Sequence, residues 1–185
     1  MRIDYKHRPE VYRPMRALKE AEDAGSLEPA LLELIRIRAS QLNGCARCLE
    51  IHTKDARAMG EDPMRVDLVA AWRETPLYSE RERAALAWTE ELTLLPGRTV
   101  PDELYDATRA VLSEDEVVQL TMAVITINAW NRLAVAFRAP IGLHVPRVKA
   151  RAADEASGAG AGTSAASAAK TPAASAGETP GGSAS

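Results

Sequence analysis

Little in this chain marks it for a membrane, a nucleic acid or an oxidising compartment. No run approaches the roughly 18 consecutive apolar residues that a membrane span needs, so none is expected. The opening residues, "MRIDYKHRPEVYRP", hold no apolar stretch, and a secretory leader is not expected either. Net charge is only -3 over 185 residues. That is no electrostatic footprint for nucleic acid or an acidic membrane surface. The expectation is a cytoplasmic chain. Strand-like alternation is missing, as is any repeat at a solenoid period. Cysteine is scarce too: the only two are Cys45 and Cys48. In a reducing compartment an isolated CxxC pair points to catalysis or metal binding before it points to a structural staple.

What is there reads as helix. Val11, Met15 and Leu18 recur at helical spacing, with Gly25 as a stop. Pro29 opens a second helix, where a missing N–H does no harm, and "ALLELIRIRASQL" runs on to an "NG" terminator. A third helix spans Cys45 to Met59 and closes at Gly60. A fourth starts at Asp62 and Pro63 and carries Leu68 and Trp72. Ser79 with Glu82, and Ser113 with Glu116, have the spacing of capping boxes. The first precedes a face of Ala85, Trp88, Leu92 and Leu95. Pro101 and Asp102 open a sixth helix. The second box precedes "VVQLTMAVITINAWNRLAVAF", apolar on most sides and therefore expected to be central and buried, with Pro140 as its end. The expected fold class is all-α, about seven helices in a domain over residues 1–148. Residues 149–185 are Ala, Gly, Ser, Thr and Pro without large apolar side chains, and are expected to be a disordered low-complexity tail.

Helical geometry sorts the chemistry. Cys45, Cys48, Leu49, His52, Ala56 and Met59 share one face of the third helix. The cysteines sit one turn apart at its N-terminus, a spacing that suits a disulfide and a dipole that favours a thiolate. His52 adjoins Cys48 but stands two turns, about 10 Å, from Cys45. If a histidine activates a thiol, Cys48 is the one within reach and Cys45 is the resolving partner. Glu33, on the preceding helix, is the candidate carboxylate to orient His52 across the short NG turn. Other readings stand beside this one. The thiols could be small core residues, or Cys45, Cys48, His52 and Glu33 could bind zinc, although no second ligand pair exists elsewhere. Covalent haem is excluded because Leu49, not histidine, follows Cys48.

Glu33, "LIRIRASQLNG", Cys45, Cys48 and His52 together resemble the E-x11-C-x2-C-x3-H core of the alkyl hydroperoxidase D (AhpD) family. That family lies within the all-helical carboxymuconolactone decarboxylase superfamily. "AWRETPLYSERERAALAWTEELT" and "TINAWNRLAVAFR" extend the likeness over about residues 5 to 140. The resemblance implies an AhpD-like fold with Cys48 peroxidatic, Cys45 resolving, and His52 and Glu33 as the proton relay. It implies a peroxide substrate, a thiol or lipoyl-type reductant protein, and a homotrimer or hexamer, with no cofactor or metal. One departure is Arg47, where the family often has a second histidine.

Trp72, Trp88 and Trp130 could fill subunit contacts or simply the monomer core. Asn128, Asn131 and Arg132 interrupt the apolar last helix and need partners, either internal or at a cavity. His7 and His144 are expected at the surface. The leading function is a thiol-dependent peroxidase. The alternatives are a decarboxylase-type lyase and a non-catalytic redox sensor.

Overall fold

The computed structural model describes residues 1–146. The tail expected at 149–185 lies outside the described residues. Seven α-helices follow a 3-10 turn at Tyr5–His7, with no strand among the described residues. Helices α1 (Pro9–Asp23), α2 (Pro29–Leu42) and α3 (Ala46–Ala58) come first. A short α4 (Pro63–Leu68) runs into a 3-10 segment, Val69–Glu74, and α5 (Glu80–Thr93), α6 (Asp102–Arg109) and α7 (Glu114–Phe137) complete the domain. Both capping boxes form, with Ser79 and Ser113 each accepting from the N3 backbone while Glu82 and Glu116 reach back.

The turn that matters most is the one between α2 and α3. Asn43 still has right-handed helical dihedrals, and Gly44 then turns back at φ +63°. A Cβ there would meet nothing, so backbone conformation alone calls for glycine. Cys45 follows with extended dihedrals and caps α3, its N–H bonded to the Ser40 carbonyl at 2.9 Å. The chain thus reverses in three residues, and α3 lies against α2.

Three apolar clusters fill the interior. One joins α2, α5 and α7 through Leu31, Ile35, Trp88, Leu120 and Val124. A second gathers Leu34, Ile37, Val66, Val69, Trp72 and Leu86. The third packs both cysteines against Ile127 and Ala134 of α7.

Two expectations need correction. The fourth helix is two pieces, kinked at Ala71 (φ -115°, ψ 26°). A 3-10 segment aligns side chains at i and i+3, and here that seats both Val69 and Trp72 in the core. The last helix is central, packing on α1, α2, α3, α5 and α6, but is not buried all round. Val118, Met122, Ile125 and Val135 are exposed, because its neighbours cover only part of its circumference. By length and composition α7 could also cross a membrane; here five helices pack against it.

The polar residues of α7 turn inward. Asn43 Nδ2 lies 2.9 Å from the side-chain oxygens of both Asn128 and Asn131. Asn131 donates in turn to Ser40 Oγ at 3.0 Å, and Asn128 to Thr93 Oγ1 at 3.0 Å. Arg132 bonds back to Asn128. This network ties the α2–α3 turn to α7, which is the internal role. Asn131→Ala would leave Ser40 without its donor and Asn43 with one acceptor fewer. A loss of about 2 kcal/mol in urea unfolding is expected.

Candidate functional site

The site is assembled where α3 begins. Cys45 is its N-cap, and Cys48, at the third helical position, donates its N–H to Cys45 Sγ at 3.3 Å. The two are joined as a disulfide with Cα atoms 5.4 Å apart, and both are almost fully buried. One turn further along, His52 is 6% exposed. Its Nδ1 stands 2.7 Å from Glu33 Oε2, a contact made across the Gly44 turn.

Sequence reasoning missed what holds Glu33. Arg36, only 3% exposed, donates from Nη1 to Glu33 Oε1 at 2.8 Å. Its Nη2 reaches Asp23 Oδ1 at 2.8 Å and Glu22 Oε2 at 3.4 Å. Burial pushes the Glu33 carboxyl up, but His52 and Arg36 outweigh it and hold it down at about 2. Glu33 is therefore a permanent carboxylate at neutral pH, fixed by a fork on one oxygen and an imidazole on the other. A signal was available: Arg36 lies one turn after Glu33, a spacing that lets the two meet. Nothing local pointed to Glu22 or Asp23 on α1.

Burial pushes the Glu22 carboxyl up, countered in part by Thr126 and Arg36. Its Oε1, the Thr126 hydroxyl and Trp130 Nε1 are buried without a well-formed hydrogen bond to any protein group.

Other side chains sort as follows. Arg47 pairs with Glu50 at 2.9 Å, so its charge is committed beside the cysteines rather than free. Trp72 and Trp88 are interior residues, their indoles donating to Glu90 and Thr121. Trp130 is half-buried against Tyr5 and Tyr12. His7 is exposed, as expected, but His144 is not free. Its Nε2 stands 2.7 Å from Asp55 Oδ1, because residues 142–144 fold back and donate backbone N–H groups to Glu50.

Among the described residues, Glu33, His52 and Asp55 are the cluster whose donor atoms converge within 4.8 Å. Both sulfurs are in the disulfide, so neither is a thiolate ligand in this state. Glu33 is already shared by Arg36 and His52. A guanidinium 2.8 Å from a ligand oxygen repels a cation, so the set suits proton handling better than metal binding.

Residues 9–91 match the model of the carboxymuconolactone decarboxylase family. YdfG, an uncharacterized protein of Bacillus subtilis, is 42% identical over 132 residues, which is 71% of this chain and 90% of YdfG. The chain belongs to the carboxymuconolactone decarboxylase family. Within that family it is AhpD-like. A protein of unknown function from Agrobacterium tumefaciens, described as a candidate antioxidant-defence protein AhpD, superposes with a TM-score of 0.74 at 38% identity. That match covers 77% of this chain and 99% of the other. The debrominase Bmp8 has the same fold at a TM-score of 0.68 and 21% identity, over 75% of this chain and 74% of Bmp8. A shared fold leaves the chemistry open, and the side chains must decide it.

Proposed function

We propose that the protein is a thiol-dependent peroxidase that reduces small organic peroxides or hydrogen peroxide. The observation that carries this reading is the buried row Cys45, Cys48, His52 on α3, with His52 held by a carboxylate that cannot take its proton. Cys48 is the peroxidatic thiol. His52 accepts its proton, Glu33 fixes the ring and balances the positive charge, and the α3 N-terminus favours the thiolate. The thiolate attacks one peroxide oxygen, so that an S–O bond forms and the O–O bond breaks. The alcohol or water leaves with the proton. Cys45 then displaces water from the Cys48 sulfenic acid, forming the disulfide before further oxidation. A dithiol reductant, of lipoyl or protein-thiol type, takes the disulfide back to two thiols. No metal or other cofactor enters the cycle.

In this reading the protein works in the cytoplasm as a homotrimer or hexamer. The apolar stripe of Val118, Met122 and Ile125 on α7 supports an assembly, since such a face is normally covered.

The test is the pH dependence of alkylation at each reduced cysteine, followed by mass spectrometry in wild type and His52→Ala. Cys48 should react with a half-point well below the free-thiol value of about 8.5, and lose that advantage without His52. Two thiols that both titrate near the free value, with or without His52, would overturn the proposal.

A further inference from the structure

Beside His52 lies a small, partly open cavity of about 10 Å³. Its walls are Glu22 and Lys19 of α1, Arg36, His52, and Thr126, Ile127 and Trp130 of α7. A volume of this size is about what one water-sized oxygen needs, provided two to four polar partners face it. Three are at hand: Glu22 Oε1, Thr126 Oγ1 and Trp130 Nε1, each buried and without a well-formed bond to a protein group. His52 lines the cavity as well, and with Nδ1 engaged by Glu33 its Nε2 is the ring nitrogen left to exchange a proton. The rest of the wall is apolar or already paired.

The charges around the cavity say which form of Glu22 belongs there. Arg36 faces Glu33, Asp23 and Glu22 together, and Lys19 pairs with Asp23 at 2.6 Å. Two cations are thus matched by Glu33 and Asp23, and Glu22 is a surplus carboxyl, 4% exposed. A neutral acid fits this position. One oxygen accepts from Arg36, and the other presents its hydrogen to the cavity. Burial, which pushes this carboxyl up against the pull of Thr126 and Arg36, works in the same direction.

We propose that this cavity is a proton-transfer chamber holding one water molecule, and that Glu22 is the acid that supplies the departing peroxide oxygen through it. This rests on the peroxidase reading and deepens it. Proton balance is closed within the site. Cys48 gives its proton to His52 and attacks as thiolate. The O–O bond breaks, and the departing oxygen takes a proton relayed by the chamber water from Glu22. His52 then returns the proton from Cys48 to Glu22 by the same water. Each turnover leaves Glu22 neutral and His52 ready to accept again. Through Lys19, which is part-exposed, the chamber borders the surface of α1.

The experiment is rapid-mixing oxidation of the reduced full chain by hydrogen peroxide in a single turnover, across pH, for wild type, Glu22→Gln and Thr126→Val. Glu22→Gln keeps the shape and removes the proton. Its rate should fall about 100-fold, the lower range for loss of an acid catalyst. Wild type should slow as pH rises through the Glu22 ionisation, and Glu22→Gln should lose that limb. Alkylation of Cys48 should be unchanged, which a merely structural defect would not respect. Thr126→Val, which keeps the carboxyl but removes one partner of the water, should slow oxidation by about 10-fold and keep the limb. If Glu22→Gln does not fold, Thr126→Val together with Trp130→Phe decides the matter, since each removes one orphan group. A crystal structure of the reduced protein should also show an ordered oxygen bonded to Glu22, Thr126 and Trp130. A wild type inert to peroxide sinks the peroxidase reading itself. A reactive wild type matched in rate and pH profile by the variants, or an unfilled cavity, sinks only the chamber.

Discussion

Cys48→Ser should lower peroxide consumption by about 10³-fold or more, to the background of the reductant alone, because a serine hydroxyl at this site has neither the thiolate nor its nucleophilicity. Cys45→Ser should behave differently. Cys48 in that variant still has His52 one turn away and still lies in the first turn of α3, so the first oxidation should proceed within a few-fold of wild type. The sulfenic acid then has no neighbour to condense with, and a sulfenic-acid probe should label Cys48 in about one equivalent. Turnover with a dithiol reductant should stall after that first event. The asymmetry is the informative part. Equal loss of the first step in both variants would mean that the thiols act only as a pair. Full activity in Cys48→Ser would refute the assignment.

The second large effect concerns stability. Arg36→Met should destabilise the domain by about 3–5 kcal/mol at neutral pH, the range for removing one partner of a buried ion pair. Arg36 is 3% exposed and is the guanidinium for Glu33, Asp23 and Glu22 at once. Without it, the buried Glu33 carboxylate keeps only His52. Arg36→Lys should recover little, because an ammonium cannot fork to two carboxylates on different helices. The acid limb offers an independent check. Glu33 is held at about 2 in the folded chain against an ordinary 4.5, so its contribution is complete above about 4.5 and is lost as pH falls toward 2. With Arg36 gone, the folded-state value rises toward the ordinary one and part of that limb disappears. Urea unfolding at pH 7 and at pH 3 should therefore show a smaller difference in the variant than in wild type. A loss below about 1 kcal/mol at pH 7 would show that the cluster is solvated rather than dry.

The sequence by itself determined the helices and their ends, because those signals act within a few residues. Both capping boxes, the proline starts and Gly44 depend on hydrogen bonds and dihedrals that the local chain sets. It also determined that Cys45, Cys48 and His52 share a face, which follows from helical period alone. Glu33 was legible only as a candidate. Its meeting with His52 depends on how closely α2 and α3 pack after a three-residue turn, and that is a property of the shared core. The break at Ala71 was not legible, since it answers to the pocket that receives Trp72. Nor was the open side of α7, because an apolar helix does not state how many neighbours will cover it. The least legible features are the most consequential for the site. Arg36, Glu22, Thr126 and Trp130 come from three helices and, apart from the spacing of Arg36 to Glu33, carry no local signal. Only the packing of α1 and α7 beside His52 brings a surplus carboxyl, a hydroxyl and an indole to one cavity. Periodicity reports which way a side chain faces along its own helix, and tertiary packing decides what it faces.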